Sequence, residues 1–202
     1  MARYTGPKVK KARSFGEAIT AKDAKVLMKR NYAPGQHGQS RGRVSEYGTQ
    51  LKEKQKAKWT YGILEKQFRK YFEEASKKKG ITGDALLQIL ESRLDNIVYR
   101  LGFAETRAQA RQLVSHGFFD VNGKKVNIPS YRTKVGETVA FRESKKKSKY
   151  IEVLKQKLKN AKTQEWLELN ADTLSGKVLS VPNQEQTESR INTQLIVELY
   201  SR

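Results

Sequence analysis

The sequence predicts an α+β fold, and three observations carry the prediction. Apolar residues recur at helical spacing through residues 46–115 and again through 148–162. The dipeptide Asn122-Gly123 sits between two short β-prone runs, the signature of a type I′ hairpin. The first 45 residues show neither pattern. They carry 11 basic and 2 acidic side chains and are punctuated by Gly6-Pro7 and by Ala33-Pro34-Gly35-Gln36-His37-Gly38. Such punctuation interrupts helices and exposes backbone N–H groups, so the segment reads as an extended basic arm with one short helix over 21–30.

The elements follow in order. Ser45 is placed to cap a helix running to Lys58, and a second is expected from Gly62 to Lys78. Leu64, Phe68, Tyr71, Phe72 and Ala75 form the apolar face of the second; Arg69 and Lys70 lie off it. A third helix is expected from Asp84 to Leu101, with Leu86, Leu90, Leu94, Ile97 and Leu101 as its stripe. Thr106 and Gln109 read as a capping box for a helix that ends at His116-Gly117. Strands are expected over 118–121, 124–126 and 135–141, a helix over 148–162, and strands over 166–169 and 177–181. The segment 193–200 is apolar, and its pattern leaves helix and strand both open.

The chain has 41 Lys and Arg against 21 Asp and Glu, a net charge of +20. Residues 1–60 hold 15 basic and 4 acidic side chains, residues 61–160 hold 22 and 11, and residues 161–202 hold 4 and 6. A compact domain with such an excess repels itself unless a polyanion lies beside it. Phosphate backbones are the commonest such partner, and counterion release supplies the affinity. No apolar run is long enough to span a membrane. The absence of cysteine excludes disulfides, thiolate metal sites and a thiol nucleophile, and fits a reducing compartment.

Within this charge one constellation stands out. Arg93 and Arg100 are two helical turns apart, Arg107 and Arg111 one turn apart, and the two pairs can converge into one cationic face. Asn96 lies between the first pair and can bond a ribose or base, and Lys124 and Lys125 extend the face from the hairpin. The guanidinium fork suits phosphate oxygens. The other reading is a solvated arginine-rich helix surface. Asp95 reads as an ion-pair partner of this group rather than as a catalytic acid. Tyr4, Tyr32, Tyr47 and Tyr61 lie in polar, basic surroundings suited to contact with RNA. His37 has no Cys partner for zinc and reads as an RNA-contacting residue. The glycines around residues 35–42 lack the terminal Lys-Ser/Thr of a nucleotide-binding loop, and no Ser/His/Asp set is present, so no enzymatic activity is expected.

Arg93-Leu94-Asp95-Asn96-Ile97-Val98-Tyr99-Arg100-Leu101-Gly102, followed by Thr106-Arg107-Ala108-Gln109-Ala110-Arg111-Gln112-Leu113-Val114 and His116-Gly117, resembles the RNA-binding module of the bacterial small-subunit ribosomal S-four family. The likeness continues outside that module. It takes in Met1 to Lys8, Lys29 to Gly38, Ser45 to Gly48, Lys54 to Lys56, and Ile191 to Arg202. The resemblance implies three parts: an extended RNA-binding arm over 1–45, a helical domain over 46–91 completed by 182–202, and an inserted α+β module over 92–181 with two helices, a hairpin and a small antiparallel sheet. It also assigns the segment from Leu195 to Tyr200 to a returning helix packed on residues 46–90.

Charge and resemblance together give a set of expected RNA contacts. Arg3, Tyr4, Lys8, Lys10, Lys11, Arg13, Lys29, Arg30, Gly35, Gln36, His37, Gly38, Arg41 and Arg43 come from the arm. Tyr47, Lys54, Lys58, Arg69 and Lys70 come from the helices that follow. Arg93, Asn96, Arg100, Arg107, Arg111, His116, Lys124 and Lys125 come from the module. The implied partner is the five-prime domain of 16S ribosomal RNA, bound at a multi-helix junction early in subunit assembly. A neighbouring protein of the S-five family and the path by which messenger RNA enters the ribosome are implied as well, with a bearing on decoding accuracy. A cytoplasmic ribosome of bacterial or plastid origin fits this reading.

Many members of the family hold a structural zinc with about four cysteines near the N-terminus; here the matching stretch has none. The arm is therefore expected to become ordered on RNA. Two rivals remain: an RNA-modifying enzyme anchored by the same module, which would need roughly 100 further residues of catalytic domain, and a free-standing RNA chaperone, which would lack the blocks of residues 1–58. No metal is expected. Elemental analysis of the purified protein should show no stoichiometric zinc, and a chelator should leave fold and RNA affinity unchanged; one tightly bound zinc per chain would overturn this.

Overall fold

The computed structural model describes residues 4–40, 42–158, 163–183, 186–188 and 190–202. These hold helices α1 (Lys8–Phe15), α2 (Ala21–Lys29), α3 (Glu46–Thr60), α4 (Glu65–Ser76), α5 (Thr82–Glu91), α6 (Leu94–Arg100), α7 (Arg107–Ser115), α8 (Lys149–Leu158) and α9 (Thr193–Tyr200). The strands are β1 (Phe119–Val121), β2 (Lys124–Lys125), β3 (Thr138–Phe141), β4 (Leu167–Asn170) and β5 (Ser175–Val178), with a short 3-10 turn at Glu143–Lys145. The class is α+β, with two compact units. One spans Met1–Lys77 and Arg190–Arg202, the other Lys78–Ser189.

These divisions differ from the three expected parts in three places, one of them at residues 182–183 and 186–188, which were expected with the helical domain and fall in the second unit. Within residues 1–45 the expected extended arm is replaced over 8–29 by two helices: α1 packs on α2 and α3, and the pair belongs to the first unit. Ala12 is fully buried and Phe15 nearly so. An apolar stripe of two residues is too thin to read as a helix in sequence; packing supplies what periodicity does not show. The Glu17 carboxylate also pairs with Lys56 of α3 at 2.8 Å. Helix α2 is the expected short helix, closed by a capping box in which Thr20 Oγ1 accepts from the Asp23 N–H and the Asp23 carboxylate accepts from the Thr20 N–H. The remaining difference is α5, which falls in the second unit and contacts α6 there.

In the first unit α3 begins at Ser45, whose Oγ accepts from the Gly48 N–H at 3.2 Å. Its Gln50, Lys54 and Ala57 are buried, and α9 packs along it. The returning helix is thus present, and the polar side chains find partners there. Gln50 Nε2 donates to Glu198 at 3.1 Å, and the Asn192 N–H donates to Glu53 at 2.8 Å. Tyr200 stacks on Phe72 at 4.5 Å between ring centroids.

In the second unit the single helix expected over 84–101 is broken at Ser92-Arg93, where Arg93 is extended. The cause is the segment 129–133, which takes the backbone groups a continuous helix would use. The Ser92 carbonyl accepts from the Thr133 N–H at 2.9 Å, and the N–H groups of Leu94 and Asp95 donate to the Tyr131 and Pro129 carbonyls at 2.8 and 3.2 Å. Helices α6 and α7 pack together and cover a sheet of order β2-β1-β3-β5-β4, antiparallel throughout. Asn122 and Gly123 both have positive φ, 48° and 77°, as a type I′ turn requires. Leu94, Ile97, Leu101, Phe103, Phe119, Phe141, Ile151 and Trp166 fill the core between helices and sheet. Residues 159–162 of the expected eighth helix lie outside the described residues.

Gly176 of β5 lies against Leu101, and a Cβ there would overlap the leucine side chain. Leu101 is fully buried and has nowhere to move. Gly176→Ala should cost about 1–3 kcal/mol and lower the thermal midpoint by at least ~4 °C. An unchanged melt would show that the core yields at this point.

Candidate nucleic-acid interface

The expected contact residues divide by environment. On the first unit, Lys8, Lys10, Lys29 and Arg30 are exposed along α1 and at the end of α2. Lys11 holds its ammonium 4.9 Å from the Trp59 ring and 5.8 Å from that of Tyr4, and those two rings meet edge to face at 4.3 Å. Arg13 lies 4.8 Å over the Tyr32 ring while its Nε donates to the Tyr32 carbonyl at 3.1 Å. This fixes the start of the Pro/Gly turn. Gly35, Gln36 and His37 are exposed. Gly38 presses on the Ala33 carbonyl, where a Cβ would collide with backbone, so this turn requires glycine. Arg43, Tyr47 and Lys70 are exposed; Arg69 is exposed and pairs with Glu73 at 3.3 Å. Arg3 and Arg41 lie outside the described residues.

Lys54 and Lys58 do not belong to that surface. Lys54 is 7% exposed. Its ammonium bonds Glu65 Oε1 at 2.7 Å, and Lys58 bonds Glu65 Oε2 at 3.0 Å. Tyr200 of α9 donates its hydroxyl to the same carboxylate at 2.8 Å. Burial alone would raise the Glu65 pKa, but the bonds from Lys54, Lys58 and Tyr200 outweigh it and hold it at about 2. The Tyr200 phenol is pushed up, first by burial and then by its bond to Glu65. Glu65 therefore ties α9 to α3 and α4.

On the second unit the arginines do converge, but on carboxylates. Arg93 is 2% exposed and grips Asp95 through Nε and Nη2 at 3.0 and 2.6 Å. Arg111 lies 3.8 Å from the same Asp95. Arg100 holds Glu91 through Nε and Nη2 at 3.0 and 2.6 Å, and Glu91 is fully buried. Arg107 Nε donates to Asn96 Oδ1 at 2.7 Å, and Asn96 in turn donates to Glu91. Glu188, from the stretch after β5, bonds Arg107 at 2.5 Å and approaches Arg100 at 3.4 Å. The expected open cationic face is thus an ion network in which Arg93 is buried and Arg100, Arg107 and Arg111 are only partly exposed. For Arg93 the reason is the break before α6: it is the N-cap, not a residue on the helix flank, and turns inward. Asp95 is the ion-pair partner that its spacing indicated. Asn96 links charged groups inside the unit and is 2% exposed. Lys124, Lys125 and His116 remain exposed at the hairpin and the end of α7.

Sequence reasoning missed Trp59, Lys56 and Glu188. Trp59 carries the ammoniums of Lys11 and Lys58 4.9 and 5.4 Å from its ring, and the basic residues on both sides of it were a signal. Lys56 and Glu188 find their partners through tertiary contacts that no local spacing reveals. Among the described residues, no group of three or more His, Cys, Asp or Glu can hold a metal ion. No helix there is long and apolar enough to cross a membrane.

Lowering the pH should loosen α9. The folded Glu65 titrates near 2, against 4.5 for an ordinary glutamate. Its contribution is therefore complete above pH ~4.5 and lost as pH falls toward ~2. With solvent screening the loss amounts to about 1 kcal/mol. Glu65→Gln should remove this part of the acid sensitivity in denaturant melts at pH 6 and pH 3; an unaltered pH dependence would show that the cluster adds no stability.

Comparison with known proteins also divides the chain in two, but with the boundary after α5, at 91/92, as expected from the sequence, rather than at 77/78. Residues 3–91 match the ribosomal protein S4/S9 N-terminal domain, and residues 92–139 match the S4 domain. The chain is 58% identical to the small ribosomal subunit protein uS4 of Parabacteroides distasonis, 54% to that of Chloroflexus aurantiacus and 55% to that of Christiangramia forsetii. Each alignment covers 100% of both chains. With both domain models matched in order and relatives aligned over their whole length, the chain belongs to the uS4 family of small ribosomal subunit proteins.

Proposed function

We propose that this chain is a structural, non-catalytic constituent of the small ribosomal subunit that binds 16S ribosomal RNA. The observation that carries the reading is its alignment, at 58% identity and full length, with a protein named for that subunit. The physical chemistry supports it. After the internal carboxylates have taken Lys54, Lys58, Arg93 and Arg100, the outward cations include Lys8, Lys10, Lys29, Arg30, Arg43 and Lys70 on the first unit and Lys124 and Lys125 on the second. Lysines spread over a surface, with arginine and aromatic side chains between them, hold phosphates without reading bases. That suits A-form RNA, whose major groove is closed to side chains.

The RNA expected is the multi-helix junction of the five-prime domain, bound early so that the body of the subunit assembles around it. A neighbour of the S-five family and the path by which messenger RNA enters fall within the same proposal. So does a contribution to translational accuracy in a cytoplasmic ribosome. The test is a binding titration of the full chain with a five-prime-domain transcript. With ~6–10 phosphate contacts, affinity should fall on the order of 10³-fold or more between 50 and 200 mM salt. A nearly flat titration would sink the electrostatic reading, and equal affinity for an unrelated transcript of the same length would sink the assignment to this domain.

A further inference from the structure

Arg100 and Arg107 converge on one oxygen atom. Arg107 Nη2 lies 2.5 Å and Arg100 Nη2 3.4 Å from Glu188 Oε1. Both guanidiniums are also fixed from behind by groups of their own scaffold. Arg100 is held in two bonds by the fully buried Glu91. Arg107 is held by Asn96 and lies 4.5 Å over the Tyr99 ring. Those holding groups sit on α5 and α6. Glu188 does not: it arrives 81 residues after Arg107, between β5 and α9. Its side chain is 19% exposed, against 0% for Glu91. The arginines are thus positioned without it, and it occupies the anion position they share.

We infer that the Arg100–Arg107 pair is a phosphate site, and that the Glu188 carboxylate fills it until an RNA phosphate takes its place. The inference rests on the RNA-binding function proposed above. Carboxylate and phosphate offer a guanidinium the same kind of acceptor oxygens. The exchange therefore leaves both arginines bonded and in place, and Glu188, already partly wet, returns to water. An anion tethered to the chain acts at high effective concentration. Chloride or free phosphate does not displace it, whereas a phosphate brought in by RNA already docked on the exposed lysines of the unit does. Glu188 thereby lowers the affinity of every polyanion that places a phosphate in this site.

The test uses the full chain and the five-prime-domain transcript at fixed salt. Glu188→Gln keeps the shape and removes the charge. It should tighten binding about threefold to tenfold, while Glu152→Gln, an exposed carboxylate of α8, should change it by less than about twofold, as expected for a charge screened by solvent and salt. In an Arg107→Gln background the gain from Glu188→Gln should largely vanish, because the two side chains are coupled. Binding by Glu188→Gln that is equal to or weaker than wild type overturns the exchange. So does a gain that persists undiminished without Arg107. A Glu188→Gln protein that loses thermal stability and RNA affinity together makes the contact structural and overturns it as well, with no arginine variant needed. Failure of the wild type to bind the transcript at all would sink the RNA-binding function itself, and the exchange with it.

Discussion

A chain with a net charge of +20 can pack only where its internal cations meet carboxylates, and that constraint organises both units. Acidic side chains are half as numerous as basic ones, and the structure gathers many of them at the joints of the fold. Glu65 takes two lysines and a tyrosine where the last helix meets α3 and α4. Glu53 and Glu17 take Lys56. Glu91, Asp95 and Glu188 take the four arginines around α6 and α7. Three of these contacts, Tyr200 to Glu65, Lys56 to Glu17 and Arg107 to Glu188, are long-range in sequence, so charge pairing there selects topology as well as offsetting desolvation.

The same arithmetic creates the outer surface. Carboxylates held inside do not screen the cations outside. A surface left basic in this way repels copies of itself and attracts polyanions. Fold and binding therefore draw on one distribution of charge. Ion pairs inside such units are strong where several bonds meet, as at Glu65, and weak where one exposed pair stands alone, as at Arg69 and Glu73.

Much of this was legible in the residues. The Asn122-Gly123 turn, the Ser45 and Thr106 caps and the apolar stripe from Leu94 to Leu101 are short-range signals, and the structure contains each of them. The capping box at Thr106 is altered in one respect. Its hydroxyl accepts from the Gln109 N–H, but the Gln109 side chain accepts from the Glu105 N–H instead of returning to Thr106. What was illegible depends on distant partners. Helix α1 forms from a basic octapeptide because α2 and α3 cover Ala12 and Phe15. The break at Ser92-Arg93 is dictated by a loop 40 residues on, whose Thr133 hydroxyl and N–H both donate to Ser92. The inward turn and the burial of Arg93 follow from that break. The pattern of the arginines announced convergence correctly but not the charge they converge on.

The return of α9 to α3 has a consequence for synthesis on the translating ribosome. Helix α3 ends at Thr60 and α9 starts at Thr193. At ~5–20 residues per second, roughly 7–27 s separate their emergence. During that interval Gln50, Lys54 and the aromatic face of α4 lack the helix that covers them, and Glu65 lacks Tyr200. The inserted unit, contiguous in sequence, can close first. The nascent chain therefore carries a folded domain on an unfinished one, and its basic first segment is open to any RNA nearby until the last eight-residue helix arrives.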